Sequence, residues 1–574
     1  MYRNIRFDQV MSVIKRALLL DGYVDEPACF GVPPYISPYV RYLYGVLITH
    51  GFDVNYVTAD EWRHLPHGEA VAEADVITVI AGLTVPGRYR GGSPLTLREI
   101  RELCKLPRQG PLFIGGPVRH GYTLRGGSRA MDLIEPGVDC LCTGDPEAVL
   151  DHFLRTGEYD PARKRSYEDL RSWALPGAEV VKSHPSYPWL IAELELSRGC
   201  ERKNGHCSFC SEGIHSSYEE RKAADIAEEA KGLARAGIRA FRFGRCSNIL
   251  SWGGTETPSG FRPSARNLEE LYAGVHNACD DLEVLHTDNC NPSTLVTFPD
   301  DSFAALEVIS RWNTEGDVLS LGIENLDPKV LKLNNLKVDE EGALQAVRII
   351  NEAGSWRKRK RGLPSVLPGL NFLAGLAGED ADAFETNRRF LERLLAEDLI
   401  VRRINIRQVM LFQRTPLAGL LEEFPSRVRK KNFLKWKNWV REEIDPIMMR
   451  RVAPVGTVLK RVRLEEKRGN RYFGRSLGSY PILAGIAASR KLESDVIDVL
   501  VTDHGSRSVT GIPSPVDMNQ CSPEELEALP GIGKARARRI IQSRPYFHFE
   551  DLEAALDETR LLDGLRGLFL FRES

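Results

Sequence analysis

The chain has 574 residues, with 77 basic and 79 acidic side chains and a formal net charge of −2. At about 150 residues per domain, that length predicts three or four domains, and the charge balance excludes a wholly basic nucleic-acid coat while leaving local basic patches open. No apolar run reaches the roughly 18 residues a membrane-crossing helix needs, and the eleven cysteines, an odd number spread along the chain, argue against a secreted disulfide framework. The run at 17–20 is also too short for the core of a signal peptide. The expectation is a cytoplasmic protein with no membrane partner and with reduced thiols, a few of them holding a metal.

Residues 1–165 alternate short apolar runs with helical spacing: strands are predicted at 16–20, 53–57, 76–80 and 111–115, and a helix at 39–51. Such alternation predicts a parallel sheet covered on both faces, with ligands at the carboxyl ends of the strands. Those ends carry Gly/Pro loops at 31–35, 82–87 and 115–117 and at Thr143-Gly144-Asp145. A polar stretch at 160–188 reads as a linker. A second αβ series over 186–445 has strands at 190–196, 240–243, 284–287, 319–323, 369–374 and 404–409, with helices such as 223–236 and 381–396 between them. Repeated βα units of this kind predict a full or partial barrel with its working loops at the strand C-termini. Short strands at 456–463, 480–486, 495–502 and 508–512 predict a small β-barrel over 450–515. Residues 516–574 read as helical. The expected fold class is α/β, in four pieces: 1–165, 186–445, 450–515 and 516–574.

The strongest chemical signal is Cys200-Glu-Arg-Lys-Asn-Gly-His-Cys207-Ser-Phe-Cys210, in the loop after the first strand of the second series. Three cysteines can hold three irons of a four-iron cluster and leave the fourth iron open. A structural zinc would want a fourth ligand, which His206 could supply. The position at the carboxyl mouth of a βα barrel favours cofactor chemistry, since zinc ribbons lie on hairpins.

This loop resembles that of radical S-adenosylmethionine enzymes, with C-x6-C-x2-C in place of the usual C-x3-C-x2-C. The resemblance implies metal ligands Cys200, Cys207 and Cys210, a [4Fe-4S] cluster, and S-adenosylmethionine bound through its amino and carboxylate groups to the open iron. One electron from an external donor would then cleave the sulfonium to a 5′-deoxyadenosyl radical. Phe209 resembles the family's aromatic beside the adenine. Leu373-Ala-Gly-Leu-Ala-Gly-Glu379 resembles its Gly-Leu-x-Gly-Glu turn, placing Gly375, Gly378 and Glu379 near the adenosine. Glu324, after Gly322-Ile, is a candidate contact to ribose or methionine. Phe243-Gly-Arg245 stands where the family has Gly-Gly-Glu. His286, Asp288, Asn289, Arg403, Asn405, Arg407 and Gln408 end strands and are expected to face substrate or cofactor.

The first domain resembles the flavodoxin-like, cobalamin-binding domain that precedes the radical barrel in one subclass. The features that carry this are the loop at 33–35, Ala81-Gly-Leu-Thr84, Gly115-Gly116-Pro117 and Thr143-Gly144-Asp145-Pro-Glu147. The candidate cobalamin contacts are Thr84, Gly115, Gly116 and Thr143. No Asp-x-His-x-x-Gly motif is present, so the resemblance implies cobalamin without a histidine from that motif as lower ligand. The alternative is a domain that kept the shape and lost the ligand.

Pro530-Gly-Ile-Gly-Lys534 and the residues after it resemble a helix-hairpin-helix, whose turn offers N–H groups to phosphate beside Lys534, Arg536, Arg538 and Arg539. The small barrel resembles an OB- or TRAM-like RNA-binding appendix of radical methylthiotransferases. Basic segments at 357–361 and 427–437, the latter with Phe433 and Trp436 interleaved, could extend the same surface. The alternative for the tail is packing or protein contact.

The whole pattern resembles an archaeal group of cobalamin-dependent radical enzymes. It implies C-methylation of an unactivated carbon in a macromolecule, a protein rather than a nucleic acid; the most concrete expectation is a glutamine of methyl-coenzyme M reductase. The alternatives are a radical enzyme modifying tRNA or another nucleic acid, and a cluster-bearing nucleic-acid sensor.

Overall fold

Two compact units divide the chain: Met1–Arg125, Ala130–Glu193 and Glu228–Ile238 form one; Gly126–Arg129, Leu194–Ala227 and Arg239–Ser574 form the other. The computed structural model describes residues 15–571 apart from 27–28, 65, 67, 83–91, 123–126, 132–134, 203–204, 490 and 557–561.

In the first unit, five parallel strands stand in the order Phe52–Thr58, Lys15–Asp21, Val76–Ile80, Leu112–Gly115, Cys140–Leu141. This is the flavodoxin-like order, with its switch point between the first and third strands in sequence. Leu18, Leu20, Ile77, Val79 and Ile114 fill one core, as unbroken apolar runs must when helices cover both faces. The helix Leu97–Cys104 starts where Thr96 and Glu99 cap each other reciprocally.

The stretch expected to be a linker is ordered secondary structure. A helix, Tyr167–Gly177, starts on a reciprocal Ser166–Asp169 cap and leads into a 3-10 turn, Ala178–Ser183. Its charged outer face masked Leu170 and Ala174, which pack with Tyr42 of the helix Pro38–Thr49. The two helices touch through glycine: a Cβ on Gly45 would stand 2.0 Å from the Trp173 carbonyl oxygen, and one on Gly177 2.1 Å from that of Arg41.

The second unit carries the βα series. Ala240–Gly244 pairs in parallel with Val284–Thr287, and Asp317–Glu324, Val366–Ala374 and Arg403–Gln408 follow in parallel register. Leu196 donates to the Gly244 carbonyl at 3.3 Å, so the chain leaving the strand Ile191–Glu195 runs beside this sheet. All six expected strands are present. Downstream, five strands close a barrel in the order Val458–Arg468, Arg471–Ser476, Leu483–Ala487, Ser508–Ser514, Val496–His504. Arg471–Ser476 was not expected, because arginine and serine at its ends interrupt the alternation. The C-terminal helices Pro523–Glu527, Lys534–Gln542 and Phe549–Ala554 share an apolar core with Val458, Leu500 and Ile512 of this barrel.

Two basic segments do not form the surface expected of them. In the helix Lys430–Trp439, Phe433 and Trp436 are buried, and Trp436 stacks on Phe384 at 5.2 Å. Helical spacing turns these aromatics inward while Lys430, Lys431 and Lys435 face solvent. In the run 357–361, Arg357 donates to the carbonyls of Arg451 and Val452, Lys358 to those of Arg311 and Asn313, and Arg361 to that of Gly564, while Arg359 pairs with Glu315. Four of these five cations therefore close the protein on itself. Among the described residues, no helix is long and apolar enough to cross a membrane.

Candidate functional site

The cysteine loop grows from the strand Ile191–Glu195. Ser197–Arg198 pairs with Glu219–Glu220 and closes its base, where Gly199 has φ +73° and leaves no room for a Cβ against the Ser216 and Ser217 carbonyls at 2.5 Å. Cys207 is buried, and Cys200 and Cys210 are half-buried. The Cys210 N–H donates to the Cys207 carbonyl at 3.1 Å. Burial, with the charge of neighbouring Cys207, pushes the Cys210 thiol up to about 12. Burial, with Glu201 beside it, raises Cys200 further. The thiol of Cys200 points to Glu201 Oε2 at 3.7 Å. Among the described residues, no three His, Cys, Asp or Glu side chains are drawn together tightly enough to hold a metal ion between them. The ring of His206 lies against Gly213, where an added Cβ would be 2.1 Å from it.

The donor chemistry suits an iron–sulfur cluster. Three soft thiols share one loop, and two cations lie by them, Arg202 at Cys207 and Lys337 near Cys207 and Cys210; buried thiolates need such compensation. Arg202 Nη1 donates to Cys207 Sγ at 3.1 Å. Lys337 Nζ is 3.9 Å from Glu324 Oε1 and donates to the Gly322 carbonyl at 3.3 Å. Burial lowers the Lys337 pKa, but Cys207 and Glu324 more than offset it, so the ammonium stays charged.

Two asparagines that the sequence reading missed organise this loop. They follow the short helix Pro328–Leu333. Asn334 Oδ1 accepts from the Ser208 hydroxyl at 2.8 Å and from the Ala377 N–H at 3.2 Å, and its Nδ2 donates to the Ala377 carbonyl at 2.9 Å. Asn335, in the left-handed region at φ +49°, accepts from Arg202 at 2.8 Å and donates to the carbonyls of Gly205 at 3.0 Å and His206 at 3.2 Å. Asparagine tolerates that conformation. The only signal in sequence was an Asn-Asn pair after a helix, which names no chemistry.

The glycine turn stands where expected, after the strand Val366–Ala374, with Gly375 at φ +96° and Gly378 at φ +75°. Glu379 is turned inward. Its Oε2 accepts from the Gly375 and Leu376 N–H groups at 2.5 and 3.1 Å, and its Oε1 from Asn325 at 3.0 Å. Burial pushes its carboxyl up to about 7 against those bonds. The glutamate thus shapes the turn with both its oxygens. Phe209 packs on the same turn, with Leu376, Ala377 and Val330. Glu324 ends its strand after a bulge, at φ +63°.

Several strand residues expected to face substrate or cofactor are taken up by partners within the protein. Arg242 and Asp288 form a buried ion pair. His286 Nδ1 accepts from the Ser479 N–H at 2.8 Å and lies 3.7 Å from Asp317, the first residue of its strand. The Arg403 guanidinium, opening its own strand, sits 4.0 Å over the ring of Tyr480, whose carbonyl takes Arg402 at 2.6 Å and whose hydroxyl meets Ser320 at 3.4 Å. A connection of the five-stranded barrel thus floors the βα array. Asn405 instead pairs with Asn371 at 3.2 Å.

In the first unit, Gly115 leaves no space for a Cβ against Pro146, at 2.5 Å, and Gly116 has φ +94° beside the Ala81 carbonyl. Thr143 donates its hydroxyl to the Pro161 carbonyl at 3.1 Å. Thr84 lies outside the described residues. Local packing therefore accounts for these glycines and for this hydroxyl. The switch point instead carries Asp21, which ends the first strand fully buried. Its carboxylate takes the Tyr56 hydroxyl at 2.8 Å and the Tyr23 N–H at 3.0 Å, and burial raises it to about 7.

The Radical SAM superfamily model matches residues 194–391, and a helix-hairpin-helix motif matches residues 513–556. An uncharacterized protein of Methanocaldococcus jannaschii is 40% identical over 516 residues, covering 88% of this chain and 94% of that one. One of Archaeoglobus fulgidus is 36% identical over 551 residues, covering 94% and 97%. The ribosomal protein uS12 methylthiotransferase RimO of Elusimicrobium minutum is 20% identical, covering 80% and 93%. Among solved structures, the cobalamin-dependent S-adenosylmethionine radical enzyme OxsB with aqua-cobalamin and S-adenosylmethionine bound aligns at TM-score 0.44 and 12% identity, over 74% of this chain and 56% of that one. The chain therefore spans little more than half the length of that enzyme. The chain belongs to one family with the two archaeal proteins, and it is an iron–sulfur enzyme of the Radical SAM superfamily.

Proposed function

We propose that Cys200, Cys207 and Cys210 hold three irons of a [4Fe-4S] cluster, that S-adenosylmethionine sits between them and the turn at Gly375 and Gly378, and that the enzyme methylates an unactivated carbon of a macromolecule with cobalamin. The observation that carries the reading is Asn334, which ties the thiol loop to the glycine turn through Ser208 and Ala377. When bound, these groups supply a radical able to take hydrogen from carbon and a methyl group to replace it. The chain's own residues position and balance. Arg202 and Lys337 offset negative charge at the thiols. Phe209, half-buried against the glycine turn, offers an apolar face there. Glu324 pairs with the Lys337 ammonium at the end of its strand.

The cobalamin reading rests on the strand order of the first unit and its switch point at Asp21; Gly115, Gly116 and Thr143 would contribute through backbone and position. In functional terms the pieces are 1–165 for cobalamin, 186–445 for the radical chemistry, and 450–515 and 516–574 as appended modules. An external electron donor is required. A protein is the proposed substrate, and a glutamine of methyl-coenzyme M reductase is the first target to examine. A nucleic-acid substrate is the second reading, favoured by exposed Lys534 and Arg538 on the hairpin helix.

The test is anaerobic reconstitution with iron and sulfide, then reaction with S-adenosylmethionine and dithionite as the electron donor, followed by mass spectrometry. Formation of 5′-deoxyadenosine by the wild-type chain, lost in Cys207→Ala, is expected; a variant that still forms it overturns the ligand assignment. Comparing protein and tRNA masses in cells with and without the gene identifies the substrate class.

A further inference from the structure

The spacing between the first two cysteines is three residues longer than the usual radical-enzyme loop. Within this loop Arg202, two positions after Cys200, reaches a sulfur. One nitrogen, Nη1, lies 3.1 Å from Cys207 Sγ and 2.8 Å from the Asn335 carbonyl. Asn335 also ties down the far side of the insertion, at Gly205 and His206. The guanidinium is therefore fixed by the same residue that fixes the loop.

Cys207 is the buried member of the three. A charge-assisted hydrogen bond counts for most in low dielectric. Lys337, the other cation, shares its charge with Glu324 and the Gly322 carbonyl. No carboxylate pairs with Arg202 among the described residues.

We infer that Arg202 is a positioning residue that raises the reduction potential of the cluster proposed at Cys200, Cys207 and Cys210. The inference rests on that ligand assignment. A four-iron cluster in its 2+ state with three thiolates carries one net negative charge, and accepting one electron from the external donor makes it two. A fixed cation hydrogen-bonded to a ligand sulfur stabilises the second state more than the first. Hydrogen bonds to sulfur and net charge are the levers by which proteins set such potentials.

The experiment uses the full chain, reconstituted anaerobically with iron and sulfide, as wild type, Arg202→Gln and Arg202→Lys. Iron and sulfide per chain are assayed, and the cluster is titrated with dithionite under electron paramagnetic resonance. Arg202→Gln is expected to keep its iron and to take up an electron at least tenfold less favourably, about 59 mV lower for a one-electron couple. Arg202→Lys should fall between. A full complement of iron in Arg202→Gln with an unchanged midpoint overturns the inference. Loss of the cluster in both variants also overturns it, leaving a purely structural arginine. Loss in Gln alone, with Lys keeping its cluster at a midpoint below that of wild type, supports it, and Lys at the wild-type midpoint overturns it. If wild type and Cys207→Ala take up iron alike, the ligand assignment itself fails, which is a different result from wild-type iron with an unmoved potential.

Discussion

Ser208 and Ala377, 169 positions apart in the chain, share one acceptor atom: Oδ1 of Asn334 takes the hydroxyl of the first and the N–H of the second. One lies between the cysteines and the other inside the glycine turn. Asn334 is fully buried. Replacing it with alanine strands several buried groups, each costing about 1–3 kcal/mol. Asn334→Ala should lower the urea midpoint of the iron-free chain and reduce iron retained after reconstitution. Asn334→Asp keeps both accepted bonds but cannot donate to Ala377, and should fall between the two.

Glu379 gives stability a distinctive pH dependence. Its carboxyl is raised from 4.5 to about 7 by burial, so between these values the folded chain holds a proton that the unfolded chain releases. Stability contributed by this group is present below pH 4.5 and lost as pH rises to 7. The size is at most about 3 kcal/mol at 1.36 kcal/mol per unit. Urea unfolding of the iron-free chain across this range should show that slope, and Glu379→Gln should flatten it.

His286 acts in the opposite sense. Burial first, then Arg242 and Lys358, lower it from 6.5 to about 3. The folded chain therefore binds fewer protons than the unfolded chain over this window, and stability rises with pH between about 3 and 6.5. His286→Gln should lessen acid unfolding there. An unchanged acid midpoint would count against neutral imidazole as the acceptor for Ser479.

Trp436 distinguishes core from nucleic-acid surface. Its ring stacks on Phe384 and meets Phe372 edge-on at 5.4 Å. Trp436→Ala should cost about 3–5 kcal/mol of stability and leave the salt dependence of any nucleic-acid binding unchanged, measured by urea unfolding and by titration with an oligonucleotide.

Much of this architecture was legible before the structure. Short apolar-rich runs such as 76–80 and 112–114 announce strands buried on both faces, and three cysteines in eleven residues, placed after the first strand of a βα series, point to a metal centre. What escaped depends on partners distant in sequence. Asn334 and Asn335 carry no charge or metal-ligand identity, and their importance arises when a helix end meets two loops. Glu379 was read as facing a ligand because its turn motif was visible while the N–H groups that fill its oxygens were not. Phe433 and Trp436 were read as a stacking surface because lysines flank them in sequence, whereas a helix separates neighbours to opposite faces. Asp21 served in the sequence only to end an apolar run, and the switch point it occupies exists only once the strands have an order.

Tyr480 has a consequence for dissecting the enzyme. It belongs to the five-stranded barrel, yet its ring, carbonyl and hydroxyl all bond to residues of the βα array, and its neighbour Ser479 satisfies His286. Cutting the chain near Pro454 to obtain a minimal catalytic fragment would leave buried His286 without the Ser479 N–H, Arg402 without its acceptor and Arg403 without the ring it lies over. The two pieces should therefore melt as one cooperative transition. The boundary along which they look separable is the one along which they cannot be parted.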